Sequence, residues 1–186
     1  MTMETHPHFL WTDLFRKKKA GRSELTDILR ENVLFQSLTK RELRYLSSFV
    51  YERVYQPDEP IFAQNDRGLG MYLIVKGRVA IRTQGPTPGL NETLVTLLNE
   101  GSFFGELALV DPSHLRSANA TSIDRSVLIG FFKPDLLEIL ERKPEMGVKL
   151  MLSLSAVLGR RLVETTERMS LLTRQRSLAK VHEDIV

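Results

Sequence analysis

The spacing of apolar residues divides this chain into three parts. Up to about residue 50, apolar residues recur every three or four positions, which predicts amphipathic helices at 23–30 and 39–49. Thr39 and Glu42 fit a capping box at the start of the second helix. From there to about residue 134, short β-rich runs alternate with turn residues, and helical spacing then returns.

The middle part predicts an all-antiparallel β structure. The expected strands are short and regularly spaced, at 51–55, 60–63, 71–75, 78–82, 93–98, 117–122 and 126–131. The turns between them are expected at 56–59, 65–68, 76–77 and 85–89. Such regular short strands are typical of a barrel or jelly roll. We therefore predict an α+β fold: an antiparallel β jelly-roll barrel with N-terminal helices and a long C-terminal helix.

The last part predicts a short helix at 135–141 and then a long one. The long helix should begin near Pro144, a natural first-turn residue, and continue through at least Gln175. Its apolar stripe is close to a heptad and consists of Met151, Leu154, Leu158, Leu162, Thr165, Met169 and Leu172. The stripe fits a helix packed on its own domain or a parallel two-helix dimer seam. We favour the dimer, because the stripe outruns a single small barrel.

These patterns set three segments: a basic tail at 1–22, a domain at 23–134 that begins at a possible N-cap, Ser23, and C-terminal helices at 135–186. In the tail, apolar residues at helical spacing precede a basic run that begins at Arg16. The tail fits a solvated segment, a helix docked on the domain, or a basic amphipathic segment that meets a membrane or a partner.

One stretch, 101–121, carries the candidate chemistry. Gly105 permits a positive φ, and the short helical turn after it would leave backbone N–H groups pointing outward, which suits a phosphate. Arg116 adds paired donors and Ser117 a hydroxyl. Glu106 would repel a phosphate, so its presence makes sense if it accepts hydrogen bonds from sugar hydroxyls. Together these groups indicate a nucleotide.

Each residue of this stretch also has a simpler interpretation. Glu106 alone fits a carboxylate stabilised by a helix N-terminus, and Arg116 alone fits a solvated strand residue. Phe103 and Phe104 are expected in the core. Only the joint spacing, with Arg116 ten residues after Glu106, favours a ligand site.

The amino-acid composition further narrows the class of protein to which the chain can belong. The chain has 186 residues, 42% of them hydrophobic, and no cysteine, which excludes disulfides, thiol nucleophiles and cysteine-held metals. No apolar run approaches a membrane span, and the first residues lack a signal-peptide core. We expect a cytoplasmic protein. The net charge of +3 only weakly favours nucleic acid. We find no catalytic constellation or metal-ligand cluster, and expect no enzyme.

The stretch Phe104-Gly-Glu-Leu-Ala-Leu109, followed by Arg116-Ser-Ala118, resembles the phosphate-binding cassette of the cyclic nucleotide-binding domain family. In that family the cassette's Glu holds the ribose 2′-hydroxyl and its Arg holds the cyclic phosphate. The resemblance gives these roles to Glu106 and Arg116. It also implies ligand contacts from the rest of the cassette: Phe104, Gly105, Leu107, Ala108, Ser117 and Ala118.

The chain departs from the family pattern at three positions. The family usually has Gly where Asp58 and Asn65 stand, and Thr or Ser where Asn119 stands. Asp and Asn tolerate the left-handed backbone conformation better than most residues, so we expect both turns to be kept. Asn119 leaves the local strand register open.

The long helix also resembles the dimer helix of bacterial catabolite activator proteins, through Arg160-Arg-Leu162 and the hydroxyl pair Thr165 and Thr166. There the hydroxyl pair contacts adenine, one residue from each subunit. This implies purine contacts from Thr165 and Thr166 and favours cAMP over cGMP. The simpler interpretation is a pair of threonines on a helix surface.

The functional prediction is a dimeric cAMP-binding regulatory protein with an effector that the sequence does not reveal. The chain has too few residues after the long helix for a helix-turn-helix domain, so we expect no sequence-specific DNA binding by it. The alternative is an interaction module of the same fold without a signalling ligand.

Overall fold

The computed structural model describes residues 22–83, 93–111 and 115–183. Five helices lie in these ranges: α1 (Arg22–Glu31), α2 (Lys40–Leu46), α3 (Leu107–Val110), α4 (Lys133–Arg142) and α5 (Pro144–Glu183). The eight strands are β1 (Val50–Tyr55), β2 (Pro60–Phe62), β3 (Gly70–Lys76), β4 (Val79–Thr83), β5 (Thr93–Leu98), β6 (Phe103–Phe104), β7 (Asn119–Ser122) and β8 (Ser126–Phe132). The predicted turn at 85–89 and the tail before Arg22 lie outside the described residues.

The strands form two four-stranded sheets, ordered β1-β8-β3-β6 and β2-β7-β4-β5, and every ladder is antiparallel. Among the described strands the ladders join partners within a sheet, so the predicted barrel is observed as two sheets. The pair Phe103–Phe104 adds a strand that the sequence pattern did not predict. The strand expected from residue 117 begins only at Asn119.

Two apolar clusters hold the domain together. One draws on both sheets, through side chains such as Tyr55, Ile74, Val79 and Leu128, and therefore lies between them. The other cluster lies on the opposite face of the first sheet, where residues of the helices pack against it. Because successive side chains of a strand point to opposite faces, strands β3 and β8 supply residues to both clusters.

Local turn chemistry follows the sequence. Asp58 and Asn65 have φ of 60° and 69°, so both turns keep the left-handed conformation that the sequence predicts. The capping box at Thr39 is present, with reciprocal bonds to Glu42. Ser23 lies inside α1 and does not precede it, so the predicted N-cap is wrong. Asn119 pairs with Arg82 in the unshifted β4–β7 ladder, whereas the β2–β7 ladder shifts register beside it.

The apolar stripe of α5 divides into two halves. Near its start the helix buries Met146, Leu150, Leu154 and Val157 in its own domain. Further along, Leu162 and Met169 are exposed. Leu154 was predicted for the dimer seam but lies in the domain core, so it is not available to a seam. The side chain of Leu172 lies outside the described residues.

Within the described ranges, no helix combines the length and apolarity needed to cross a bilayer.

Candidate functional site

A cavity of about 440 Å³ opens between the second sheet, the loop around Gly105 and the middle of α5. The sheet contributes a mostly apolar wall, the loop contributes Phe103 to Leu107, and residues 116–118 complete the floor. The helix contributes polar side chains at one-turn spacing: Arg161, Glu164, Thr165 and Arg168. The site therefore joins an apolar surface to a concentration of charged groups.

Gly105 shapes the loop that carries the site. Its φ is +75°, and a Cβ built on it would lie 2.5 Å from Nη1 of Arg116. A side chain at this position would be strained and would displace the guanidinium. The requirement for glycine here is thus both conformational and steric.

Arg116 is buried and fixed by the backbone. Its Nη1 donates to the Gly105 carbonyl at 3.1 Å, and its Nη2 donates to the Gly70 carbonyl at 2.7 Å. The guanidinium carbon lies 4.1 Å from the centroid of the Phe62 ring. Burial lowers the pKa of Arg116, and the nearby Tyr72 hydroxyl and the carboxylates of Asp66 and Glu106 oppose that shift. An arginine guanidinium stays charged in proteins, so Arg116 keeps its positive charge.

Glu106 lines the same cavity and pairs with the long helix. Its side chain is 6% exposed, and its Oε1 lies 2.7 Å from Nη1 of Arg161 on α5. Arg161 also donates from Nη2 to the Phe103 carbonyl at 2.9 Å. Its guanidinium carbon lies over the Phe103 ring, 4.7 Å from the ring centroid. The loop is therefore tied to the long helix by one ion pair, one hydrogen bond and one ring contact.

Two buried side-chain atoms in the described part of the chain have no hydrogen-bond partner, and both belong to this site. They are Oε2 of Glu106, an acceptor, and Nε of Arg116, a donor. Buried polar atoms are paired in the great majority of cases, and leaving one unpaired costs about 1–3 kcal/mol. An unmatched acceptor and an unmatched donor around one cavity mark a site that can take a ligand carrying both types of group.

Most residues predicted from the sequence meet at this cavity. Eight of them line it: Phe104, Gly105, Glu106, Leu107, Arg116, Ser117, Ala118 and Thr165. Ala108 does not line it, because it is fully buried and its N–H donates to the Gly105 carbonyl at 3.2 Å. Thr166 lies on another side of α5 from Thr165, and its hydroxyl donates to the Leu162 carbonyl at 2.8 Å.

Sequence reasoning gave no role to Arg161, Glu164 or Arg168. A signal was available for two of them, since Arg161 precedes Thr165 by four residues and Arg168 follows it by three, which places all three on one helix face. Phe62 was also missed, because nothing in its own stretch connects it with Arg116. The cavity is lined by three guanidinium groups (Arg116, Arg161 and Arg168) and two carboxylates (Glu106 and Glu164). The resulting net charge of the lining suits a ligand with a single negative charge.

No group of three or more potential metal ligands occurs among the residues that the structure describes.

Comparison with known proteins identifies the class. The family model described as "Cyclic nucleotide-binding domain" matches residues 52–143, which include Glu106, Arg116 and both sheets apart from the first two residues of β1. Residues 52–143 are therefore assigned to the cyclic nucleotide-binding domain family.

The individual relatives are more specific. The chain is 33% identical over 146 residues to the "Cyclic AMP receptor protein" of Thermus thermophilus, covering 78% of this chain and 64% of that protein. It is 25% identical over 146 residues to the "CRP-like cAMP-activated global transcriptional regulator" of Mycobacterium tuberculosis, covering 78% of this chain and 62% of the relative. It thus spans just under two thirds of the length of these relatives.

A solved structure gives the same result for the fold. The crystal structure of the Thermus thermophilus catabolite activator protein superposes with a TM-score of 0.66 and 32% identity, covering 76% of this chain and 63% of that one. The fold is of the catabolite activator protein type, with antiparallel sheets, flanking helices and a long C-terminal helix.

Proposed function

We propose that this chain binds a cyclic nucleotide in the cavity beside α5, with cAMP preferred over cGMP, and acts as a dimeric regulatory protein. The observation that carries the proposal is the pair of unmatched buried atoms, Oε2 of Glu106 and Nε of Arg116, around one cavity. A cyclic nucleotide offers an anionic phosphate to the donor and a ribose hydroxyl to the acceptor. The Glu106 and Arg116 side chains, which line one cavity, would then each meet a complementary group of one ligand.

Arg116 is the proposed phosphate-binding residue. The Gly105 and Gly70 carbonyls and the Phe62 ring hold its guanidinium before any ligand arrives. Little side-chain entropy remains to be lost on binding, which favours affinity. Ser117, exposed at the same edge, can add a hydroxyl donor.

Glu106 is the proposed ribose-binding residue. Its ion pair with Arg161 occupies one carboxylate oxygen and leaves the other for a sugar hydroxyl. Arg161 also offsets the repulsion between this carboxylate and a bound phosphate. The preference for cAMP is supported by two relatives, a cyclic AMP receptor protein and a cAMP-activated transcriptional regulator.

The purine is proposed to lie against α5. Thr165 lines the cavity in the same chain, whereas Thr166 would reach a base only from a second copy. A dimer through the distal half of α5, where Leu162 and Met169 are exposed, would bring that copy into place. In this arrangement the two sheets form the halves of the predicted jelly roll, and their strand order supports that closure.

The test is calorimetric titration of the chain with cAMP, cGMP and 5′-AMP. We expect cAMP to bind more tightly than cGMP, and both more tightly than the open monophosphate, which carries an additional charge. Absence of heat and of any thermal shift at millimolar cyclic nucleotide would contradict the proposal. It would favour the alternative of an interaction module without a signalling ligand.

The variant Arg116→Ala tests the proposed phosphate-binding role of Arg116. Truncating one member of a buried, hydrogen-bonded charge pair costs about 2–5 kcal/mol, which is roughly 30-fold or more in Kd. Arg53→Ala is the control, because Arg53 is also mostly buried, at 22% exposure, and pairs with Glu59 at 2.7 Å outside the cavity. Equal affinity in the two variants would remove Arg116 from the binding role.

A further inference from the structure

Phe62 contacts the buried guanidinium of Arg116, and the proposed function gives its ring no contact with the ligand. Its ring centroid lies 4.1 Å from the guanidinium carbon of Arg116, well inside the range of a cation–π contact. The ring itself is supported from behind, with centroids 5.8 Å from Phe104 and 6.2 Å from Tyr72. The Arg116 guanidinium therefore rests on a packed aromatic group and not on one free side chain.

The backbone places Phe62 there through an irregularity. In the ladder between β2 and β7, Pro60 pairs with Thr121, and Phe62 pairs with Ala120 where regular pairing would give Asn119. Paired residues share a face of the sheet, and Ala120 is fully buried between the sheets. The bulge thus turns Phe62 to the interior face, as bulges beside functional sites commonly do.

The contacts of Arg116 leave one degree of freedom that the ring removes. The two carbonyls of Gly105 and Gly70 fix the outer nitrogens of the guanidinium. Two such bonds still allow the plane to tilt about the line that joins them. A ring beneath the central carbon opposes that tilt, because planar guanidinium groups stack on aromatic faces.

We infer that Phe62 is a positioning residue that sets the tilt of the Arg116 guanidinium and thereby the direction in which this site grips a phosphate. The inference rests on the proposed function. It assigns to Phe62 a discrimination between the two exocyclic oxygens of the cyclic phosphate, since a guanidinium fixed in one plane reaches one of them better than the other. It assigns no role in reading the base.

The experiment measures the affinity of cAMP and of its Sp and Rp phosphorothioates, each of which replaces one exocyclic oxygen with sulfur. The variants are Phe62→Leu, which removes the ring, and Phe62→Tyr and Phe62→Trp, which keep an aromatic face. Phe49→Leu is the control, because Phe49 is also half-buried and lies outside the cavity.

We expect the unmodified chain to prefer one diastereomer. Phe62→Leu should bind cAMP roughly tenfold more weakly, the scale of one desolvated cation–π contact, and should lose most of the Sp/Rp preference. The Tyr and Trp variants should retain both properties, and Phe49→Leu should match the unmodified chain. Phe62→Leu should weaken cAMP and cGMP by the same factor.

Three results would overturn the inference. An unchanged Sp/Rp ratio in Phe62→Leu would mean that the ring supports the fold only. A loss that differs between cAMP and cGMP would make Phe62 a base contact. Binding by the unmodified chain without diastereomer preference would show that Arg116 is not held in one plane. Failure of the unmodified chain to bind any cyclic nucleotide would overturn the proposed function itself. The three results above leave cyclic nucleotide binding in place and overturn only the inference about Phe62.

Discussion

The ion pair between Glu106 and Arg161 should respond unequally to loss of its two members. Arg161→Met leaves a carboxylate that is 6% exposed with neither oxygen paired. Removing one partner of a fully buried pair costs about 3–5 kcal/mol. The Arg161 side chain is 42% exposed, so solvent already screens the interaction. We therefore expect a smaller loss, about 2 kcal/mol of unfolding free energy.

Glu106→Gln should cost less. The remaining Arg161 keeps its bond to the Phe103 carbonyl and its contact with the Phe103 ring, and its exposed part is hydrated. The expected loss is about 0.5–1 kcal/mol, the scale of a half-exposed pair. In the double variant no unpaired charge is buried, so its loss should fall well below the sum of the two single losses.

Urea unfolding at one fixed protein concentration measures these differences. With a slope of about 2 kcal/mol per molar urea, Arg161→Met should lower the midpoint by about 1 M. Arg142→Met is the control, because Arg142 pairs with Glu138 at 3.2 Å on the surface, and its loss should stay within about 0.5 kcal/mol. Equal losses for Arg161→Met and Glu106→Gln, or additive losses in the double variant, would refute the reasoning.

Two further predictions concern the loop and the long helix. Gly105→Ala should weaken cAMP binding and also cost about 1–2 kcal/mol of stability, whereas Gly101→Ala, with a φ of 79° and no atom within 4 Å, should show only the stability loss. Light scattering should show a dimer that Leu162→Asp or Met169→Asp dissociates. The equally exposed Leu171, which lies off that stripe, should tolerate the same change. A monomeric unmodified chain would contradict the dimer.

The features that the sequence predicted well are local ones. The conformations of Asp58, Asn65 and Gly105 follow from the backbone preferences of those residue types, and the structure confirms all three. The capping box at Thr39 depends on residues only three positions apart. Glu106 and Arg116 were found together because they share one short stretch, and they do line one cavity.

The features that the sequence did not predict depend on contacts between distant segments. Arg161 reaches Glu106 across 55 positions, and Phe62 reaches Arg116 only because a bulge turns it inward. The strand at Phe103–Phe104 is two residues long, too short for any alternation to be visible. Along α5, periodicity shows where apolar residues recur but not that Leu154 enters the domain core while Leu162 is exposed.

The length of α5 has a mechanical consequence. At 40 residues it measures about 60 Å, and its apolar anchor in the domain ends at Leu158. The part beyond, 159–183, measures roughly 38 Å at the standard rise per residue. A rotation of about 10° at the anchored end would carry the far end through about 7 Å on that geometry. A small rotation at the domain therefore displaces the far end of α5 by more than the pitch of one helical turn, about 5.4 Å.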